Sequence, residues 1–205
     1  GQPITTKPEV GLVQVRVNDY RIVVYVGTGK YIETTDVNSL GQQSLYALVD
    51  NGVAYTSPRT TLKPRTIADN AVTTGSGANA IVPYSAEWDL MWNPGGDLGG
   101  WYVDFPSTNE RVNLDPQLVL GTLQVITNSP DVTASCGGSG GTSASYQFKF
   151  DTGLAVKPNV ISANFVNYYQ GITVGNVIFT TPSGKVNSIN TSATGNKMSE
   201  EVNIS

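Results

Sequence analysis

The sequence predicts an all-β fold, an antiparallel β-sandwich or jelly roll with long loops and little helix. Three observations carry that reading. Only 14% of the residues are charged, against roughly a quarter in an average soluble domain, where exposed helical faces are filled with Asp, Glu, Lys and Arg. Apolar and polar residues alternate with a period of two in several stretches, as they do in a strand with one buried face. Between those stretches, 22 Gly and 11 Pro, together with Asn and Asp, mark turns at short intervals.

The elements follow in order. From Leu12 to Asn18, Val13, Val15 and Val17 alternate with Gln14, Arg16 and Asn18. Past Asn18-Asp19, the β-branched run Tyr20 to Val26 reads as the hairpin partner. Leu45 to Val49 and Val53 to Tyr55 flank Asp50-Asn51-Gly52, whose Asn-Gly pair tolerates the positive φ of a tight turn. Leu118 to Ile126, Tyr146 to Phe150, Val160 to Val166 and Ile172 to Phe179 read as strands, and Pro182 to Lys185 as a turn into Val186 to Ile189. Tyr146, Phe148 and Phe150 are expected on one face, with Gln147, Lys149 and Asp151 on the other. Helix is limited to a turn or two, because Pro116 cuts Asn109 to Leu120 and Asn196 to Val202 is too short to be stable alone. Thr56 to Ala80, Asn93 to Gly100 and Ser129 to Ser145 remain as long polar loops, which compact domains rarely keep without a use.

With 205 residues the chain is long enough for one sizeable core. Residues 1–189 are expected to form a single domain. The polar segment 190–205 would fray unless tied down, so it is expected to pack on the body or on a neighbouring copy. No apolar run approaches the roughly 20 residues that span a bilayer, and no membrane insertion is expected. Gly1 to Thr6 lacks the regions of a signal peptide, and without an initiating Met the chain reads as a mature or excised piece. Asn190-Thr191-Ser192 and Asn203-Ile204-Ser205 fit the N-glycosylation triplet, compatible with an extracellular setting.

Composition removes whole classes of chemistry. With no His, a His-dependent triad or His metal site cannot be built. The single Cys136 can close no intrachain disulfide and make no Cys-based zinc site. No metal, cofactor or catalytic residue is expected. The net charge of -4 argues against nucleic acid, and the bases Arg59, Lys63 and Arg65 read as a solvated or interface loop. Gly137 to Gly141 lacks the Lys-Ser/Thr ending of a phosphate loop and reads as a flexible tip.

Tyr84 to Phe105 holds all three tryptophans among glycines and acids. Trp faces stack on sugar rings while Asp and Asn bond hydroxyls, so Trp88, Trp92, Asp97, Trp101, Tyr102 and Asp104 are the candidate receptor-contact residues. The competing reading makes the tryptophans core anchors. Glu87, Asp89, Asp97, Asp104, Glu110 and Asp115 stand against the single base Arg111 and are expected to form a solvated acidic rim.

The Thr-, Asn- and Gly-rich short strands, the long loops and Gly121-Thr122-Leu123-Gln124-Val125 resemble the coat proteins of small non-enveloped icosahedral viruses, in particular their protruding or spike domains. A genome-lining shell protein would carry a basic arm, so the acidic chain resembles the exterior domain. The resemblance implies a virion-surface location, a homo-oligomer (dimer or trimer) and attachment to a host-cell receptor through the loops, with a glycan as one candidate. Two alternatives stand beside it. One is a bacterial or phage adhesin or lectin-like carbohydrate-binding domain at the cell surface. The other is a glycoside-active enzyme, which would need two convergent carboxylates.

Overall fold

In the computed structural model, residues 1–68, 80–81, 99–131, 140–154, 156 and 166–202 are described. Where the sequence alternates, strands form. β1 (Glu9–Arg16) and β2 (Asp19–Gly27) pair antiparallel with Leu12 opposite Ile22, through a turn in which Asn18 takes φ 62°. Then come β3 (Ser44–Val49), β4 (Lys63–Arg65), β5 (Ile67–Ala68), β6 (Ala80–Ile81), β7 (Gly100–Asp104) and β8 (Gln117–Val119). The remainder are β9 (Thr122–Pro130), β10 (Gly141–Lys149), β11 (Val166–Gln170), β12 (Thr173–Thr180), β13 (Val186–Ser192) and β14 (Lys197–Glu201). Helix among the described residues is confined to a 3-10 turn at Thr34–Asn38 and one α-turn at Pro58–Thr61.

The first sheet has the order β1-β2-β3-β7-β4, antiparallel except for the β4–β7 pair. A second sheet runs β11-β10-β9-β8 and a third β12-β13-β14, both antiparallel, while β5 and β6 form a small ribbon. The all-β expectation is met, with open sheets and no closed barrel.

The core lies between the first and second sheets. Val13, Val23, Tyr25, Leu45, Ala47, Trp101, Val103 and Phe105 face Leu123, Val125, Tyr146 and Phe148. Trp101 anchors it, with ring centroids 6.4 Å from Tyr25 and 5.7 Å from Phe148. Gly153 closes over that indole at φ 69°, where an added Cβ would stand 2.4 Å from the ring. The other face of the second sheet packs on the third through polar side chains. Gln124 Nε2 donates to Ser188 Oγ (3.2 Å) and to Glu200 Oε1 (2.6 Å), and Ser145 Oγ to the same carboxylate oxygen (2.6 Å).

Several expectations are corrected. Val53 to Tyr55 is no hairpin strand. Asp50 and Asn51 accept the N–H groups of Gly52 and Val53, an Asx-turn geometry that bends the chain away, and β3 pairs instead with β7. Asn109 to Leu120 contains no helix, only the bridge Arg111–Asn128 and the strand β8. The segment from Asn196 forms β14, which pairs with β13, so residues 190–202 complete the third sheet. Asn190 is fully buried in β13 and donates to Glu200 Oε1 at 3.2 Å, which closes that glycosylation triplet in the folded chain. Cys136, Asn203 and most of Val160 to Val166 lie outside the described residues.

Candidate binding site on the first sheet

Strand alternation in β7 sorts the aromatic stretch into two faces. Trp101 and Val103 point into the core, while Tyr102 and Asp104 emerge on the outer face, opposite Tyr46 and Ser44 of β3. Tyr46 and Tyr102 stack with centroids 5.9 Å apart. The turn Pro58–Thr61 brings Arg59 over this pair, its guanidinium carbon 4.5 Å from the Tyr102 centroid. Arg59 grips Asp104 with both ends of its fork, Nη1 to Oδ1 at 3.0 Å and Nη2 to Oδ2 at 2.5 Å. It also donates to the Tyr46 hydroxyl at 3.1 Å. Ser44 Oγ donates to Asp104 Oδ1 at 2.5 Å, Tyr46 Oη to Gln2 Oε1 at 2.5 Å, and Gln2 Nε2 to Ser44 Oγ at 2.8 Å.

These bonds set the charge states. Burial works to raise the Asp104 carboxyl, but the hydrogen bonds from Arg59 and Ser44 overcome it and hold it below the usual range. The bond to Asp104 likewise raises Arg59 above its ordinary value. The result is a fixed ledge in which exposed Arg59 and half-buried Tyr102 lie over buried Tyr46, Arg and Tyr being residue types that concentrate binding energy at interfaces. Beyond it, the outer face of the β1–β2 hairpin continues with Val10, Leu12, Tyr20 and Ile22, each about half exposed or more. A contiguous apolar strip of this kind on a sheet marks a contact surface.

On the other side of Gln2 and Ser44 the ledge meets a cleft of about 510 Å³, formed by the loop between β2 and β3. Arg111 organises that loop. It is buried, and its guanidinium donates to the carbonyls of Lys30 (3.3 Å), Asp36 (2.5 Å), Ser39 (2.8 Å) and Asn109 (3.1 Å). Gly29, at φ 130°, lies so close to this arginine that an added Cβ would stand 2.2 Å from Arg111 Cβ. Asp36 caps the 3-10 turn by accepting the backbone N–H groups of Ile32 and Glu33, both at 2.8 Å. Those bonds hold its carboxyl below the ordinary range, aided by Lys30. Lys30 Nζ stands 3.3 Å from Glu33 Oε1 and 3.3 Å from Asp36 Oδ1, and these contacts raise its pKa. Gln43, also on the cleft wall, is buried, and its Oε1 has no hydrogen-bond partner.

Of the six residues expected at the receptor site, Tyr102 and Asp104 are brought together. Trp101 is corrected: it is fully buried between two sheets and presents no face to a ligand. Trp88, Trp92 and Asp97 lie outside the described residues. The solvated acidic rim is also corrected at Glu110, which is buried beneath Tyr146 and Thr127. The sequence marks Arg59 only as part of a solvated or interface loop, and nothing in it marks Tyr46, Lys30, Gln43 or Arg111 as a site. One signal was available: Trp-Tyr-Val-Asp-Phe alternates like the other strands, which separates Trp101 from Tyr102 and Asp104.

Among the described residues no group of three or more His, Cys, Asp or Glu could hold a metal, and no helix is long and apolar enough to cross a membrane. No family model matches the chain, and no curated protein matches it. Among solved structures it resembles the C-terminal domain of PilY1 from Pseudomonas aeruginosa. The TM-score is 0.61 at 18% sequence identity, over 97% of this chain and 45% of that one. The chain therefore spans less than half the length of the structure it matches. At this identity the likeness is one of fold, and function has to be argued from the site.

Proposed function

We propose that the chain is an adhesin-like binding domain of a bacterial surface protein, and that it contacts its target with the outer face of the first sheet. The observation that carries this reading is the ledge of Tyr102 and Arg59 laid over buried Tyr46. Its side chains are fixed by Asp104, Ser44 and Gln2 and run into the exposed strip Val10, Leu12, Tyr20 and Ile22. Pre-fixing these groups lowers the entropy lost on binding. A fold shared with a bacterial domain supports the adhesin alternative over the capsid spike, for which the comparisons offer nothing. The domain acts here as a binder rather than an enzyme. Among the described acids, Asp104 is committed to Arg59, and Glu110 and Glu200 are buried within the sheet layers.

The test is binding of the fluorescently labelled chain to epithelial cell monolayers and to glycan-coated surfaces. Saturable binding is expected, reduced at least tenfold by Tyr102→Ala combined with Arg59→Ala while the melting temperature stays within a few degrees. Full binding by that folded double variant would remove the ledge from the contact. Because the apolar strip also suits association between copies, light scattering at the same concentrations reports whether a dimer or trimer is the bound species.

A further inference from the structure

We propose that the cleft between the first sheet and the loop after β2 is a subsite for a polyhydroxylated ligand, a single sugar unit of a glycan. This rests on the adhesin-like reading and names the chemistry its target presents. The cleft's volume of about 510 Å³ falls in the range of small-molecule sites, about 300–1,000 Å³.

The charged side chains on its wall are Lys30, Arg111 and Asp36, and Lys30 is paired to Asp36 and, outside the lining, to Glu33. Arg111 spends its donors on loop carbonyls and acts as scaffold. What remains for a ligand is mixed. Gln43 Oε1 is a buried acceptor without a donor, although Gln43 is only 5% exposed. An orphaned buried acceptor carries an uncompensated desolvation cost, which a ligand donor would recover. Asp36 Oδ1 is engaged by Lys30 alone and can accept again, while Lys30 Nζ, on a partly exposed side chain, retains a proton to donate. Acceptors beside an ammonium suit vicinal hydroxyls, each of which donates one hydrogen bond and accepts another. The cleft also adjoins the ledge through Gln2, which lines the one and hydrogen-bonds within the other. A glycan seated in the cleft could therefore continue over Arg59 and Tyr102.

The experiment is a titration of the ¹⁵N-labelled chain with glucose, galactose, mannose and N-acetylglucosamine, with sodium phosphate and calcium chloride as separate arms. At least one sugar is expected to give saturable shifts confined to Gln2, residues 29–43 and Arg111. Lys30→Met and Gln43→Met should each weaken that sugar at least tenfold, and Gln43→Glu, which keeps an acceptor, should weaken it less. Gln43→Met separates the readings: a merely structural orphan would make the variant as stable as the parent or more so, with sugar titration unchanged. Shifts from phosphate or calcium alone, or no saturable shift from any sugar, would overturn the proposal. Loss of sugar binding in Lys30→Met with cell binding intact would sink this subsite and leave the ledge standing. Sugar binding without any cell binding would do the reverse.

Discussion

The second sheet buries both of its faces, and the two are built from opposite chemistry. Toward the first sheet, Leu123, Val125, Tyr146 and Phe148 make an apolar layer. Toward the third sheet, the intervening residues Gln124, Ser145 and Gln147 are equally buried, and they meet Ser188, Asn190 and Glu200 in a hydrogen-bonded layer. An apolar layer tolerates any filling of the right shape, whereas a polar one needs every donor and acceptor matched. The third sheet is thus held by registration of hydrogen bonds, and the first by volume.

The largest expected effect is on the apolar side. Trp101→Ala should cost about 3–5 kcal/mol, read as a shift in the urea midpoint. Next comes a paired test on adjacent residues. Leu123→Met should cost less than about 1.5 kcal/mol because volume is kept. Gln124→Met should cost about 2–3 kcal/mol because Ser145, Ser188 and Glu200 lose a partner. Equal costs at the two positions would erase the distinction between the layers.

A smaller effect concerns Glu110, which accepts from Tyr146 and Thr127 at 2.5 Å each. Burial pushes its pKa above the ordinary 4.5 despite those bonds. The folded state therefore holds a proton that the unfolded state releases. Stability from this group is fully present below pH 4.5, the ordinary value, and is lost as pH rises from there through the raised folded pKa. Denaturation measured across that window should show a shallower loss in Glu110→Gln than in the parent.

The contrast between the layers also explains what the sequence made legible. β1, β2, β9 and β10 alternate clearly, and the all-β class followed from them. Gln124, Ser145 and Asn190 look like solvent-facing positions in any alternation scheme, so the sequence shows β12 and β13 as strands but not the buried polar layer that joins them to the second sheet. In β14, Met198 and Glu200 face inward beside Lys197, Ser199 and Glu201, and a strand whose buried anchor is a carboxylate reads as polar throughout. Tyr84 to Phe105 stands out in the sequence by its Trp, Gly and acid content, and that clustering groups buried Trp101 with Tyr102 and Asp104. Arg59 reaches Asp104 across 45 residues, a pairing that no local spacing reveals.

The two outer faces of the three-sheet stack provide the most direct test of the central claim. The first sheet shows the ledge and the apolar strip, while the third shows Val177 and Phe179 beside the exposed Lys185–Glu201 pair. Cell-surface binding should be measured for Tyr102→Ala/Arg59→Ala and for Val177→Ser/Phe179→Ser at matched folded fractions. The account predicts at least a tenfold loss for the first pair and less than a twofold change for the second. The opposite ranking would place the binding face on the third sheet and contradict it.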